Sequence, residues 1–282
     1  MFDLRYHVAS LAAVFIALVI GILVGVGLSG RGVLRDTERL NLQRRIDRLE
    51  RDLSLAQEQA RRQEALEEYE RETYPALMED RLAARRIAVV SVGSFEGDVA
   101  DGVQQALDDA GAAISLRALK VPISTGDLLR AVSNVGNAPQ TVEELGRALA
   151  AELLAGGETP LWDAVGPVLV LERDRAADVD GVVVVRTSDP QEGQTARFLD
   201  GFYARLGASQ MTVVGAETTD AEPSAVETYL EHRFATVDNV EALSGRLALA
   251  VVLETDATGA YGIKDEADVV LPPLEPVRPS AG

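Results

Sequence analysis

The chain has 282 residues, 47% of them hydrophobic, so it exceeds one ordinary domain and can bury a sizeable core. Its formal charge of −18 argues against a nucleic-acid-binding surface, and the absence of cysteine excludes a disulfide framework, a thiolate zinc site and a cysteine nucleophile. The excess charge is confined: residues 31–86 hold 13 basic and 13 acidic side chains, whereas residues 87–282 hold 13 basic and 31 acidic. Charge asymmetry of this kind separates parts with different roles. The chain is therefore read as an anchor over 1–30, a stalk over 31–84 and an acidic domain over 85–282.

Val8 to Gly30 contains no charged residue. As a helix it would extend roughly 35 Å, enough for a bilayer core of about 30 Å, and it is too long for the apolar core of a cleaved signal peptide. Every fourth residue is small (Ala9, Ala13, Ala17, Gly21, Gly25 and Ser29), and Gly21 and Gly25 form a GxxxG element. Such a row lets two helix backbones approach closely inside a membrane. Arg31, Arg35 and Arg39 follow the segment and only Arg5 closely precedes it, so the positive-inside rule votes for a cytoplasmic domain.

From about Val33 to Thr73 there is neither proline nor glycine. Leu42, Ile46, Leu49, Leu53, Ala56 and Ala60 recur at spacings of four and three, an a/d seam flanked by charges of both signs. The spacing predicts a coiled coil, as a homodimer or hetero-oligomer. The competing reading is a single solvated helix held by i,i+4 ion pairs. After Ala60 the seam fades into Gln63 and Glu67, and Tyr74-Pro75 disfavours continuing the helix.

Beyond Arg86, apolar runs alternate with helical segments. Strands are expected at 87–92, 114–119, 168–171, 182–186, 211–214 and 234–237. Helices are expected near 97–109, 127–133, 142–154, 195–206, 225–233 and 241–254. Thr141 with Glu144 and Ser224 with Glu227 read as capping boxes. The pattern predicts an α/β domain with a mostly parallel, open, Rossmann-like sheet covered by helices on both faces. Trp162, between Pro160 and Pro167, reads as a packing anchor.

Evidence for chemistry is thin. Gly93 to Gly97 has two glycines but neither a Walker lysine nor a third glycine, so a strand-to-helix turn explains it better than phosphate binding. Asp238 and Asn239 follow a strand at the edge where open α/β sheets bind ligands. Asp238 is equally placed to cap the next helix with Glu241, and that reading is preferred. Asp189 lies in a second such loop with Ser188 and Glu192. His232 is the sole histidine of the domain, and no Ser/His/Asp arrangement stands out.

Three stretches together resemble the mycobacterial copper transport protein B family of actinobacteria. They are Leu4 to Leu18 with the glycines that follow, Ala235 to Val240 with Gly245-Arg246, and Gly259 to Ile263 running on to Ala267–Pro272. The resemblance implies a copper-homeostasis role and a cell-envelope location, with the domain on the outer face of the plasma membrane. It also implies, for some members, a membrane coiled-coil partner in a two-protein complex that controls daughter-cell separation, with the coil reaching a peptidoglycan hydrolase outside the membrane.

Copper(I) prefers thiolate and thioether ligands and copper(II) prefers imidazole. The chain offers only Met1, Met78 and Met211 with His7 and His232, none at ligand spacing, so no metal ligand or cofactor is assigned. The residues thus favour a non-catalytic, single-pass scaffold that contacts the bilayer through 8–30 and a protein partner through its coil. The alternative is an oligomeric copper transport or export component, and the third reading is an enzyme using the sheet's carboxyl edge.

Overall fold

The structure is a computed structural model that describes residues 4–173 and 178–274; in its first helix, the side chains of 13–25 and of 40 onward are described. The chain divides into two compact units, Met1–Glu67 and Glu68–Gly282.

The first unit lies in helix α1, which runs from Leu4 to Met78. Among the described residues no helix is long and apolar enough to cross a membrane, so the expected span over 8–30 is not found. Its ends, with Ala9 and Ser29, lie outside the described side chains. Ala13, Ala17, Gly21 and Gly25 are exposed, and a Cβ built on either glycine would meet open space.

The seam residues Leu42, Ile46, Leu49 and Leu53 are 47–67% exposed, and Ala56 and Ala60 are exposed beside them. Coiled-coil pairing is accordingly not shown. The polar faces of this stretch interact within the helix, with Arg62 paired to Glu58 at 2.6 Å and Gln63 donating to Glu67 at 3.1 Å.

The second unit opens on the last turns of α1. The break expected at Tyr74-Pro75 does not occur, and Pro75 sits inside the helix. Proline there withdraws one backbone donor, and burial of Tyr74 and Met78 in the core offsets that loss. The helix instead gives way at Asp80, where φ is 60°.

The elements that follow are β1 (Arg86–Val92), α2 (Asp98–Asp109), β2 (Ala113–Leu119), α3 (Thr125–Val132), α4 (Val142–Ala155), α5 (Pro160–Leu169) and β3 (Val170–Arg173). Then come β4 (Gly181–Arg186), α6 (Gly193–Gly207), β5 (Val213–Ala216), α7 (Val226–Glu231), β6 (Ala235–Val237), α8 (Leu243–Thr255) and β7 (Ala260–Tyr261). Among the described residues they form one seven-stranded sheet in the order β3-β2-β1-β4-β5-β6-β7. Every neighbouring pair is parallel except β2 with β3, which is antiparallel. The α/β class and the mostly parallel sheet are as expected from the alternation of apolar runs and helices.

The strands read as continuous apolar runs because both faces of the sheet are covered. Ala88, Val90, Val92, Val182 and Val184 pack into one core with residues of α4, α5 and α6. Ile87, Val89, Val183 and Val185 pack into the other with α2, α8 and Met78. The expected strand at 168–171 begins only at Val170, because Val168 and Leu169 complete α5. That helix was not expected: Pro160 occupies its first turn, where a missing N–H costs nothing, and Trp162 is fully buried with its ring N–H donating to the Leu149 carbonyl at 2.9 Å. The two-residue strand β7 was also too short to read.

Helices α4 and α6 approach at paired glycines. A Cβ on Gly146 would overlap the Phe198 carbonyl, and one on Gly201 would overlap the Glu143 carbonyl. Both obstacles are backbone, so neither can move aside cheaply. Gly201→Ala is expected to destabilise the chain by about 2 kcal/mol, in line with overpacked cores. Thermal unfolding checks this: a midpoint equal to that of the parent would contradict the close approach.

Candidate functional site at the carboxyl edge

An open α/β sheet offers its ligand crevice at the carboxyl ends of the strands, where the strand order reverses. Here the reversal lies between β1 and β4. The chain fills that crevice itself. A Cβ on Gly93, whose φ is 113°, would stand 2.6 Å from Thr187 Oγ1. Ser188 Oγ donates to the Val92 carbonyl at 3.0 Å, Ser91 Oγ donates to the Ser94 carbonyl at 3.1 Å, and the Thr187 hydroxyl donates to that same carbonyl. The helix that follows, α2, carries Asp98 and Asp101 in its first turn and has no side-chain cap. Carboxylates at that end repel a phosphate rather than hold one.

The next two strands each end in a buried acid. Asp238 follows β6 and is 1% exposed, with Asn239 beside it at 0%. Asp238 does not cap α8, contrary to expectation. Its two oxygens accept the backbone N–H groups of Ile263 at 2.8 Å and Lys264 at 3.2 Å. Helix α8 starts after Ala242 without a side-chain cap, and Glu241 accepts from Thr219 N–H at 3.1 Å instead. A Cβ on Gly262 would overlap the Asp238 carboxylate, and one on Gly245 would overlap the Asn239 carbonyl. Asn239 donates from Nδ2 to Ser244 Oγ at 3.2 Å. Burial raises the pKa of Asp238, and the two backbone donors oppose that rise.

Glu217 follows β5 in the same way and is buried. One oxygen accepts from Ser224 Oγ at 2.7 Å and pairs with the Lys264 ammonium; the other accepts from Ala225 N–H at 2.7 Å. Ser224 is thereby drawn away from the expected capping box with Glu227, and its oxygen accepts from Val226 N–H at 3.2 Å. The box at Thr141 and Glu144 forms completely, and its backbone donors hold the Glu144 carboxyl below its usual range. Beyond Glu217 a cavity of about 230 Å³ opens, lined by Arg186, Asp189, Glu222, Tyr229 and neighbouring residues. Asp189 therefore reaches a cavity, whereas Asp238 and Asn239 are buried and do not line it.

Residues 1–272 match the family described as Copper transport outer membrane protein, MctB. The chain belongs to that family. It is 27% identical over 235 residues to the protein named Copper transporter MctB in Mycobacterium bovis and in Mycobacterium tuberculosis, covering 78% of this chain and 70% of each relative. No solved structure matches it significantly.

Within this family member the soft-metal candidates lie apart. Met78 packs in the core that contains α2 and α8, whereas Met211 packs against the core on the other sheet face. His232 lies against Tyr203, with ring centroids 5.5 Å apart, and its Nε2 is 3.5 Å from Asp200. Met1 lies outside the described residues and His7 outside the described side chains. Among the described residues no group of three or more His, Cys, Asp or Glu could hold a metal ion.

Glu217, Lys264, Arg186 and Tyr229 were not singled out from the sequence. For Glu217 a signal existed, since it follows the apolar run Val213–Ala216 as Asp238 follows Ala235–Val237. Asp238→Ala is expected to cost about 2 kcal/mol, because two part-buried N–H groups lose a buried carboxylate acceptor. The pH dependence has a defined sign. A raised folded-state pKa means the ionised carboxylate is disfavoured by folding, so this group's contribution improves as pH falls through its folded pKa. Chemical denaturation of parent and variant across acidic pH checks both points, and the variant should lack that improvement.

Proposed function

We propose that this chain is a membrane-anchored, non-catalytic scaffold of the cell envelope that serves copper homeostasis by assembling partner proteins. The observation that carries the reading is the exposure of apolar side chains along α1, from Val14 to Val24 and from Leu42 to Leu53. Contiguous exposed apolar surface marks contact with a membrane or a protein. The run over 8–30 suits a lipid bilayer, and the seam from Leu42 to Ala60 suits a second copy of the chain or a partner coil. In the carboxyl edge of the sheet, Asp238 and Glu217 spend their oxygens on the chain's own donors, which favours a structural role over catalysis.

Placement of the domain on the outer face of the plasma membrane, and partnership in a cell-separation complex, extend the same proposal. Because the chain has no cysteine, Glu158→Cys at an exposed site supplies one unambiguous reporter. Whole cells should label at this cysteine with an impermeant thiol reagent; labelling only after lysis would place the domain inside. Leu49→Asp with Leu53→Asp should abolish self-association of the full chain or its capture of a partner. An association unchanged by these substitutions would remove the seam from the assembly.

The second reading is copper transport, favoured by the names of the family and of its mycobacterial relatives. A barrel route is unlike the open, helix-covered sheet of the described residues, since outer-membrane barrels are closed and antiparallel. Carboxylates are abundant here, but as hard ligands they favour magnesium, calcium or manganese. The full chain is expected to bind neither copper(I) nor copper(II) at submicromolar concentration in competition with a chelator. Stoichiometric binding in that range would favour transport over the scaffold.

A further inference from the structure

The cavity beside Glu217 holds charged groups that the protein itself leaves unanswered. Tyr229 lines it, is 1% exposed, and its hydroxyl has no hydrogen-bond partner among the described residues. A buried hydroxyl without a partner costs stability, so such a group calls for an explanation. The ring cannot swing away. Gly215 of β5 lies flush against it, where any Cβ would overlap the ring, and Phe234 stacks on it with centroids 5.9 Å apart. Burial pushes the Tyr229 phenol well above its usual pKa, with Arg186 and Glu217 both close enough to be felt, so the group stays a protonated donor.

Arg186 lines the same cavity, and among the described residues it hydrogen-bonds to the neutral Pro223 carbonyl and to no carboxylate. An arginine without a counter-ion in so acidic a domain is notable, because guanidinium groups pair readily with carboxylates. Glu217 does not serve as that counter-ion, since Lys264, Ser224 and Ala225 take its oxygens. Asp189 and Glu222 stand exposed at the rim, and among the described residues neither carboxylate makes a hydrogen bond or ion pair. Asp189 engages Gln191 only through its backbone carbonyl.

We propose that this cavity binds a small zwitterion of free amino-acid size, its carboxylate on Arg186 and the Tyr229 hydroxyl and its ammonium towards Asp189 and Glu222. The size agrees: about 230 Å³ is below the roughly 300–1,000 Å³ of drug-sized sites. The location agrees as well, at the carboxyl ends of β4 and β5, beside a switch-point crevice that the chain has closed. The site is independent of the scaffold reading, which concerns α1.

The test uses the full chain in detergent, with glycine, L-alanine and L-serine as probes at millimolar concentration. Propionate and ethylamine, each carrying one half of the zwitterion, serve as controls at equal ionic strength. At least one amino acid should raise the thermal midpoint and give a saturable heat on titration, and neither half should. Tyr229→Phe should weaken that binding about tenfold, and Arg186→Gln at least as much. Without ligand, Tyr229→Phe should melt no lower than the parent, because it removes a polar group that has no partner. Silence from all three amino acids would mean the cavity holds water only and would overturn the proposal. So would binding that survives both substitutions, or propionate acting as well as L-alanine.

Discussion

A carboxylate withdrawn from water must be met by donors, and the carboxyl edge of this sheet is organised around two such groups. Asp238 holds the backbone of Ile263 and Lys264, and Glu217 holds the Lys264 ammonium. The two acids thereby bring the segment after β7 across the ends of β5 and β6. Gly262 and Gly245 are dictated by the same closeness, since a Cβ at either would strike Asp238 or the Asn239 carbonyl. Asp238, Asn239, Gly245, Gly262 and Ile263, all within the stretches that resemble the family, thus meet at one brace. Asp238 thereby fastens the segment that follows the last strand.

The brace acts on a sheet whose position is already set by two-sided burial. Valine-rich strands give each face a smooth apolar layer, and each layer is covered by helices that approach at glycine. Gly146 and Gly201 bring α4 and α6 together on one side, while Gly102 of α2 rests on the Val240 carbonyl on the other. Arg117 places a charge among these strands, which also bury the hydroxyls of Ser91, Ser115 and Thr236. It is buried, lies with its guanidinium 5.8 Å from the Trp162 ring centroid, and donates to the Leu116 carbonyl at 2.7 Å. The tryptophan read as a packing anchor therefore also supplies a face for a buried cation.

Much of this was legible where the signal is local. Continuous apolar runs gave β1, β2, β4 and β6, and the Thr141–Glu144 box marked the start of α4 to the residue. What escaped was non-local or ran against a rule of thumb. No helix was read around Pro160 and Pro167, yet one opens α5 and the other lies within it. Asp238 was read as a cap because Glu241 stands three residues on, but its partners lie 25 and 26 residues away in the chain. Tyr229 and Arg186 carry no motif at all, and only folding brings them to the same cavity as Asp189. Asp189 lies in a loop after a strand and lines that cavity. Asp238 and Asn239 occupy such a place too, but the chain's own backbone arrives there first.

The distribution of charge bears on how copies of this chain can meet. The excess of acidic groups sits entirely within 87–282, so two such domains repel each other through their surfaces, least at high salt. Over 31–86 acidic and basic side chains balance, and the polar faces of α1 answer one another within the helix, as at Glu58 and Arg62. That leaves the neutral helix, with its exposed leucines and isoleucine, as the surface on which association meets least electrostatic opposition.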